Sequence, residues 1–303
     1  MRSRLDPLTL LAILATLLVW SSSFACISYG LRSFSPGELA LLRFLVASLC
    51  FLPAIVTGRI PAPERRDWPM IALLGLIGIT LYQICLGTAQ TRISAGAAAV
   101  VIALVPGVTA ALAALRLGER LPARAWGGLG VAFLGAILIT VGAGKEIRLE
   151  PLALLALVSV FATSGYFVLQ RPLMQRMTPI GFTAWSLIAG AVGLLPFGFH
   201  LPAAVSAAPA GQILSAVYLG VAPSALGYIL WNFALSRAPV SRVASFIYLQ
   251  PLIATLIAWA WLDQAPTLVM VLGGSAAVGG VILANTAGAA AKRPASAACE
   301  ETV

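Results

Sequence analysis

Gln83, Gly87 and Gln90 recur at intervals of four and three residues, and Ser224, Tyr228, Trp231 and Asn232 have a similar spacing. On an α-helix such spacing gathers each set on one face. The two faces are related, because a shift of 145 positions carries Gln83 onto Tyr228 and Gly87 onto Asn232. Amides, hydroxyls and aromatic rings can hydrogen-bond and stack a small neutral molecule. Trp20 and Ser23 form part of a further polar-aromatic run, and Tyr82, Tyr166 and Tyr248 each add a stacking face with a hydroxyl. The expected substrate-binding set is therefore Trp20, Ser23, Tyr82, Gln83, Gln90, Tyr166, Tyr228, Trp231, Asn232 and Tyr248. The competing reading for each is interhelical hydrogen bonding or packing. Trp185, Trp259 and Trp261 are read as interface anchors.

Catalysis finds no support in the remaining polar residues. Hydrolytic or metal chemistry needs clustered His, Cys, Asp or Glu, and there is one histidine, His200. Cys26, Cys50 and Cys85 lie inside apolar runs and read as small buried side chains. The sequence predicts no enzyme, no cofactor and no metal.

The elements that must position these residues are set by composition. Of 303 residues 60% are hydrophobic and 10% charged, whereas a soluble domain is about 25% charged. A chain this apolar belongs in a bilayer. Spans of about 20 residues cross the hydrocarbon, and ten fit: Leu8–Gly30, Pro36–Thr57, Trp68–Ala89, Ser94–Leu115, Pro122–Val141, Pro151–Gln170, Thr178–Phe199, Gly211–Leu235, Val240–Trp261 and Pro266–Thr286. Arg2, Arg4 and the apolar run before Cys26 imitate a cleaved leader, but equivalent runs recur along the chain, and the segment is read as the first span. The fold class is all-α integral membrane.

Orientation is set by Lys and Arg. With ten spans both termini share a side. That side holds Arg2, Arg4, Arg59, Arg65, Arg66, Arg116, Arg120, Arg124, Arg171, Arg176, Arg237, Arg242, Lys292 and Arg293, while Arg32, Arg92, Lys145 and Arg148 face the other. Both termini are expected in the cytoplasm, with the protein in the cell membrane. The net charge of +9 thus marks loops and does not imply a nucleic-acid partner.

The chain also repeats itself. Phe34-Ser35-Pro36 through Pro53 aligns with Met177-Thr178-Pro179 through Pro196 at an offset of 143, and Leu104-Val105-Pro106 aligns with Leu249-Gln250-Pro251 at 145. The expected units are residues 8–143, residues 150–287 and a disordered cytoplasmic tail, 288–303. Five spans per unit is odd, so the halves are inverted, a layout typical of secondary transporters with a site near the midplane. Pro106 and Pro251 fall inside the fourth and ninth spans, where each removes a helical hydrogen bond. They are read as paired hinges.

Several segments resemble the drug/metabolite transporter superfamily in its ten-helix EamA branch. They are Trp20-Ser21-Ser22-Ser23-Phe24, Arg43-Phe44, Pro106 and Leu117-Gly118-Glu119-Arg120-Leu121. The resemblance covers about 11–141 and 152–285. Two departures stand out: Ser21 where such proteins often carry Gly, and Leu262-Asp263-Gln264 in place of a Leu-Gly-Glu pattern. The resemblance implies movement of small metabolites, often export of amino acids or related compounds.

Coupling is read from where the charges are. All ten acids lie away from the middle of the predicted spans, so no midplane proton carrier is evident, and Glu38 is the one weak candidate. Arg43 lies seven residues after Pro36, roughly 10 Å into its helix. It can snorkel to headgroups, meet a helix C-terminus or meet a substrate carboxylate, and a structural role is preferred. The expectation is a carrier of neutral or zwitterionic metabolites working by alternating access, without a proton-carrying acid. The alternatives are a proton-coupled exporter or a channel. The expected partners are a small-molecule substrate and lipid, and no oligomer is predicted. Cysteines placed at Gly58 and Gly144 should label from opposite sides of intact cells; labelling from the same side would refute this topology.

Overall fold

The computed structural model describes residues 6–117, 123–141, 151–174, 176–237 and 246–291. It is all-helical, and the described residues contain no strand. Among the described residues five helices are individually long and apolar enough to cross a membrane: Pro7–Gly30, Pro36–Val56, Trp68–Gln90, Pro179–Gly198 and Ala210–Trp231. These are the first, second, third, seventh and eighth spans. The fourth is broken into Ala95–Ile102 and Val105–Leu117, and the fifth is Ala123–Val141. The sixth is Leu155–Leu169, the ninth Gln250–Leu262 and the tenth Leu268–Ala291. A short helix absent from the sequence reading, Leu201–Ala207, joins the seventh span to the eighth.

A polar residue with proline directly after it starts several of the helices. Ser35 precedes Pro36 and closes a capping box, with Ser35 N–H donating to Glu38 Oε2 at 2.8 Å and Glu38 N–H to Ser35 Oγ at 3.4 Å. Its counterpart in the repeat, Thr178 before Pro179, accepts from Gly181 N–H at 3.1 Å. Such caps stabilise a helix by about 1 kcal/mol. The capping box gives Glu38 a local role at the start of its helix.

Packing obeys the repeat. The first span lies against the eighth and ninth, and its counterpart, the sixth, lies against the third and fourth. The second pairs with the seventh and the fifth with the tenth. Small residues set the last contact. A Cβ on Gly135 would sit 2.5 Å from both Gly273 O and Ala277 N. One on Gly280 would sit 2.5 Å from Gly128 O and 2.6 Å from Ala132 N. An offset of 145 converts each member of the first set into its counterpart in the second, so the two spans meet across a pseudo-two-fold axis. Gly75, packed on Ala189, corresponds likewise to Gly220, packed on Val46, the glycines being 145 apart and their partners 143.

The third and eighth spans share a local irregularity. Residues Leu76–Leu81 and Gly220–Leu226 form π-helical turns at equivalent positions. A single π turn widens a helix by one residue and re-aims the side chains beyond it. Those side chains belong to Tyr82-Gln83 in one half and to Gly227-Tyr228 in the other.

The Leu262-Asp263-Gln264 departure is accommodated. Asp263 closes the ninth span in the left-handed region at φ 56°, which Asp tolerates better than most residues. Gln264 Oε1 accepts from Ala95 N–H at 3.0 Å, serving the start of the fourth span. Gly58 adopts φ 72°, so a labelling cysteine is better tolerated at the adjacent exposed Arg59.

Gly135→Val and Gly280→Val should each destabilise the protein by roughly 1–3 kcal/mol through overpacking, and by similar amounts. Gly279→Ala, where nothing lies within 4 Å of a new Cβ, should be silent. Melting temperatures in detergent check this, and a silent Gly135→Val would refute the close contact.

Candidate functional site

Arg43 is the charged centre of the bundle. It is 7% exposed, so it does not snorkel. Its Nε donates to Ser224 Oγ at 2.8 Å and its Nη1 to Gln83 Oε1 at 3.3 Å. One guanidinium thereby joins the second, third and eighth spans. Arg43 and Gln83 line a small cavity with Pro36, Ala40, Gly87 and Leu219, whose volume of about 10 Å³ holds no more than roughly one water. Gly87 keeps that wall open, since its Cα faces Pro36 at a distance where a Cβ would come within 3.2 Å. Tyr82 and Tyr228 lie half-buried within electrostatic range of Arg43.

An aromatic cluster borders this centre. Trp20 Nε1 donates to the carbonyl of Pro223, inside the eighth-span π turn, at 3.0 Å. The Trp20 ring meets Tyr228 edge-on at 5.6 Å and Trp231 at 5.1 Å. Gly227 permits the approach, because a Cβ there would lie 2.6 Å from Trp20 Nε1.

The expected residues thus divide. Trp20, Gln83, Tyr228 and Trp231, with Tyr82 nearby, gather around the junction of the first, second, third and eighth spans. Gln90 turns away from Gln83 and ties the third span to the first, its Nε2 donating to Phe24 O at 2.9 Å and Ser28 Oγ at 3.1 Å. Ser23 Oγ donates to Trp20 O in its own helix at 2.6 Å. Tyr166 is buried against Phe182 and Gly78, with its hydroxyl 3.2 Å from Ser186 Oγ. The side chains of Asn232 and Tyr248 lie outside those the structure describes.

Pro106 and Pro251 occupy equivalent positions, but not as mid-helix kinks. Each is the second residue of a restarted helix, after a break at Ala103-Leu104 or after the 3₁₀ turn Phe246–Leu249. In a first turn the missing N–H costs nothing. Sequence reasoning missed what holds these breaks. Ser21 Oγ donates to Gln250 O and Ser164 Oγ to Val105 O, each at 3.3 Å. The serines are 143 apart and the carbonyls 145 apart, so one bond is made twice, just before each proline. The signal available was Ser21 itself, the residue noted as a departure from Gly.

Comparison with known proteins bears on these geometries. A family model described as the EamA-like transporter family matches residues 7–141 and again 151–286. The chain belongs to this family. The double match places one EamA unit on each set of five spans. Among relatives of this EamA protein, a probable terminal-alkyne amino-acid exporter of Streptantibioticus cattleyicolor is 35% identical, over 94% of this chain and 96% of the relative. The uncharacterized transporter YdfC of Bacillus subtilis is 32% identical, over 87% and 86%. A probable amino-acid metabolite efflux pump of Salmonella typhimurium is 24% identical, over 86% and 89%. A solved crystal structure shares the fold at a TM-score of 0.63 and 20% identity, covering 94% of this chain and 99% of the other.

The two glutamines should separate in experiment. Gln83→Ala, and Asn232→Ala on the repeat-related face, should lower transport several-fold at unchanged folded yield. Gln90→Leu should lower stability by about 1 kcal/mol through its lost interhelical bonds, seen as a reduced melting temperature. A reversed pattern would overturn this division.

Proposed function

We propose that this EamA-family membrane protein exports small neutral or zwitterionic metabolites, amino acids or related compounds, by alternating access. The observation that carries the reading is the polar and aromatic junction of buried Arg43, Gln83 and Ser224 with half-buried Tyr228 and Trp20, set between spans drawn from both halves of a pseudo-symmetric bundle. Inverted halves around a central site are the architecture by which rocking exposes one site to two faces in turn. The exporter names carried by two relatives agree with the substrate class and direction. The arginine bias supports a cytoplasmic position for both termini.

The half-helix restarts at Pro106 and Pro251 are the proposed hinges. Each lies where the backbone is already interrupted, so reorientation there breaks few hydrogen bonds. The cavity, with room for about one water, belongs to a conformation closed around the site.

Transport is proposed to proceed without a proton-carrying acid. Among the described residues, every acid sits at a helix end or in a loop: Asp6 and Glu38 cap helices, Glu64 pairs with Arg66, Asp67 pairs with Arg176 and Asp263 ends the ninth span. Proteoliposomes loaded with labelled amino acids should release one class saturably, at a rate indifferent to an imposed pH gradient. Gradient-driven release would refute the coupling, and release that never saturates would favour a channel. Pro106→Ala with Pro251→Ala should slow turnover several-fold while leaving binding nearly unchanged.

A further inference from the structure

Arg43 is buried, charged and without a carboxylate partner among the described residues. The described acids sit at helix ends or in loops, and Glu38, on the same helix, is held in the capping box by Ser35. Burying an unpaired guanidinium is costly. The contacts Arg43 does make, to a serine hydroxyl, an amide oxygen and the Phe44 ring centred 5.2 Å from its Cζ, are all to uncharged groups. A guanidinium carries five N–H donors, so these contacts leave donor capacity over. The side chain borders the cavity, and the surplus donors belong to a fork whose geometry matches a carboxylate.

We propose that Arg43 is the substrate-recognition residue for a carboxylate, and that the transported class consists of metabolites carrying one. The assignment rests on the transport reading above and narrows it. Ser224 and Gln83 orient the fork by holding Nε and one N–H of Nη1, which leaves the second Nη1 N–H and both on Nη2 to the ligand. Tyr82 and Tyr228 supply hydroxyls within electrostatic range of the same charge. An ammonium group on the same substrate meets no described carboxylate here, but Trp20 and Tyr228 offer ring faces for cation–π contact. The site therefore selects by its positive charge, and the aromatic rings accept the remainder of the molecule.

The test compares acids with their uncharged counterparts. Purified protein is screened for exchange in proteoliposomes with the twenty proteinogenic L-amino acids. Each L-amino acid and its carboxamide is also titrated for ligand-induced stabilisation of the purified protein. Wild type should bind the acid at least about ten-fold more tightly than the carboxamide, the size expected for a charge-assisted contact. Arg43→Gln should bring the two within about three-fold by weakening the acid while sparing the amide. Arg43→Lys should keep the preference at reduced affinity, and it serves where Arg43→Gln does not accumulate. Equal binding of acid and amide by wild type, or an undiminished acid preference in Arg43→Gln, overturns the assignment to Arg43 and leaves the transport reading intact. If no acid or amide is exchanged or bound, the transport reading itself fails and the proposal falls with it.

Discussion

A guanidinium held inside a membrane bundle is stable only where its N–H groups are met. Arg43 meets part of this demand by drawing on Gln83 of the third span and Ser224 of the eighth. Those partners can reach it only because both spans come close. The eighth does so through Gly220, whose Cα lies against the Arg43 carbonyl and Val46. Gly87 opens the third span beside Pro36 in the same region. Gly220, Gly87, the eighth-span π turn that carries Ser224 and the aromatic cluster around Trp20 all bear on the enclosure of one positive charge.

The second organising constraint is symmetry. Two halves of unlike sequence make like contacts wherever the backbone must come close: Gly135 and Gly280, Gly75 and Gly220, Ser21 and Ser164. Side chains diverge where the backbone does not dictate them. Gln83 corresponds to Tyr228, and each found its own partner: the guanidinium for one, the Trp20 ring for the other.

Architecture was legible because bilayer thickness and backbone satisfaction leave few solutions for so apolar a chain. Ten spans and two equivalent prolines can be derived from composition and offset alone. Rotation about each helix axis was harder to read. Arg43 stands on an apolar helix whose every face is compatible with lipid or protein, so its inward direction depends on neighbours far away in the sequence. Gln83 and Gln90 share a stripe, yet they stand about 10 Å apart along the helix, so one reaches Arg43 and the other the first span. The π turn at Leu76–Leu81 carries only Gly78 as a sequence signal, one that helices tolerate, whereas Pro223 marks its counterpart. The capping box at Ser35 and Glu38 was readable from its spacing, and it explains an acid that stood as a weak candidate for proton transfer.

The paired serine bonds have a consequence of their own. Turning the molecule upside down exchanges Ser21–Gln250 for Ser164–Val105 and leaves the pair unchanged, so these latches give the protein no sense of up and down. Polarity must enter where the halves differ, and the largest difference is chemical. The repeat counterpart of Arg43 is Ser186, an uncharged residue bonded to Tyr166. A charge present on one side of the pseudo-axis and missing from the other makes the two opened forms unequal for an anionic group, even in a scaffold whose helix breaks are balanced.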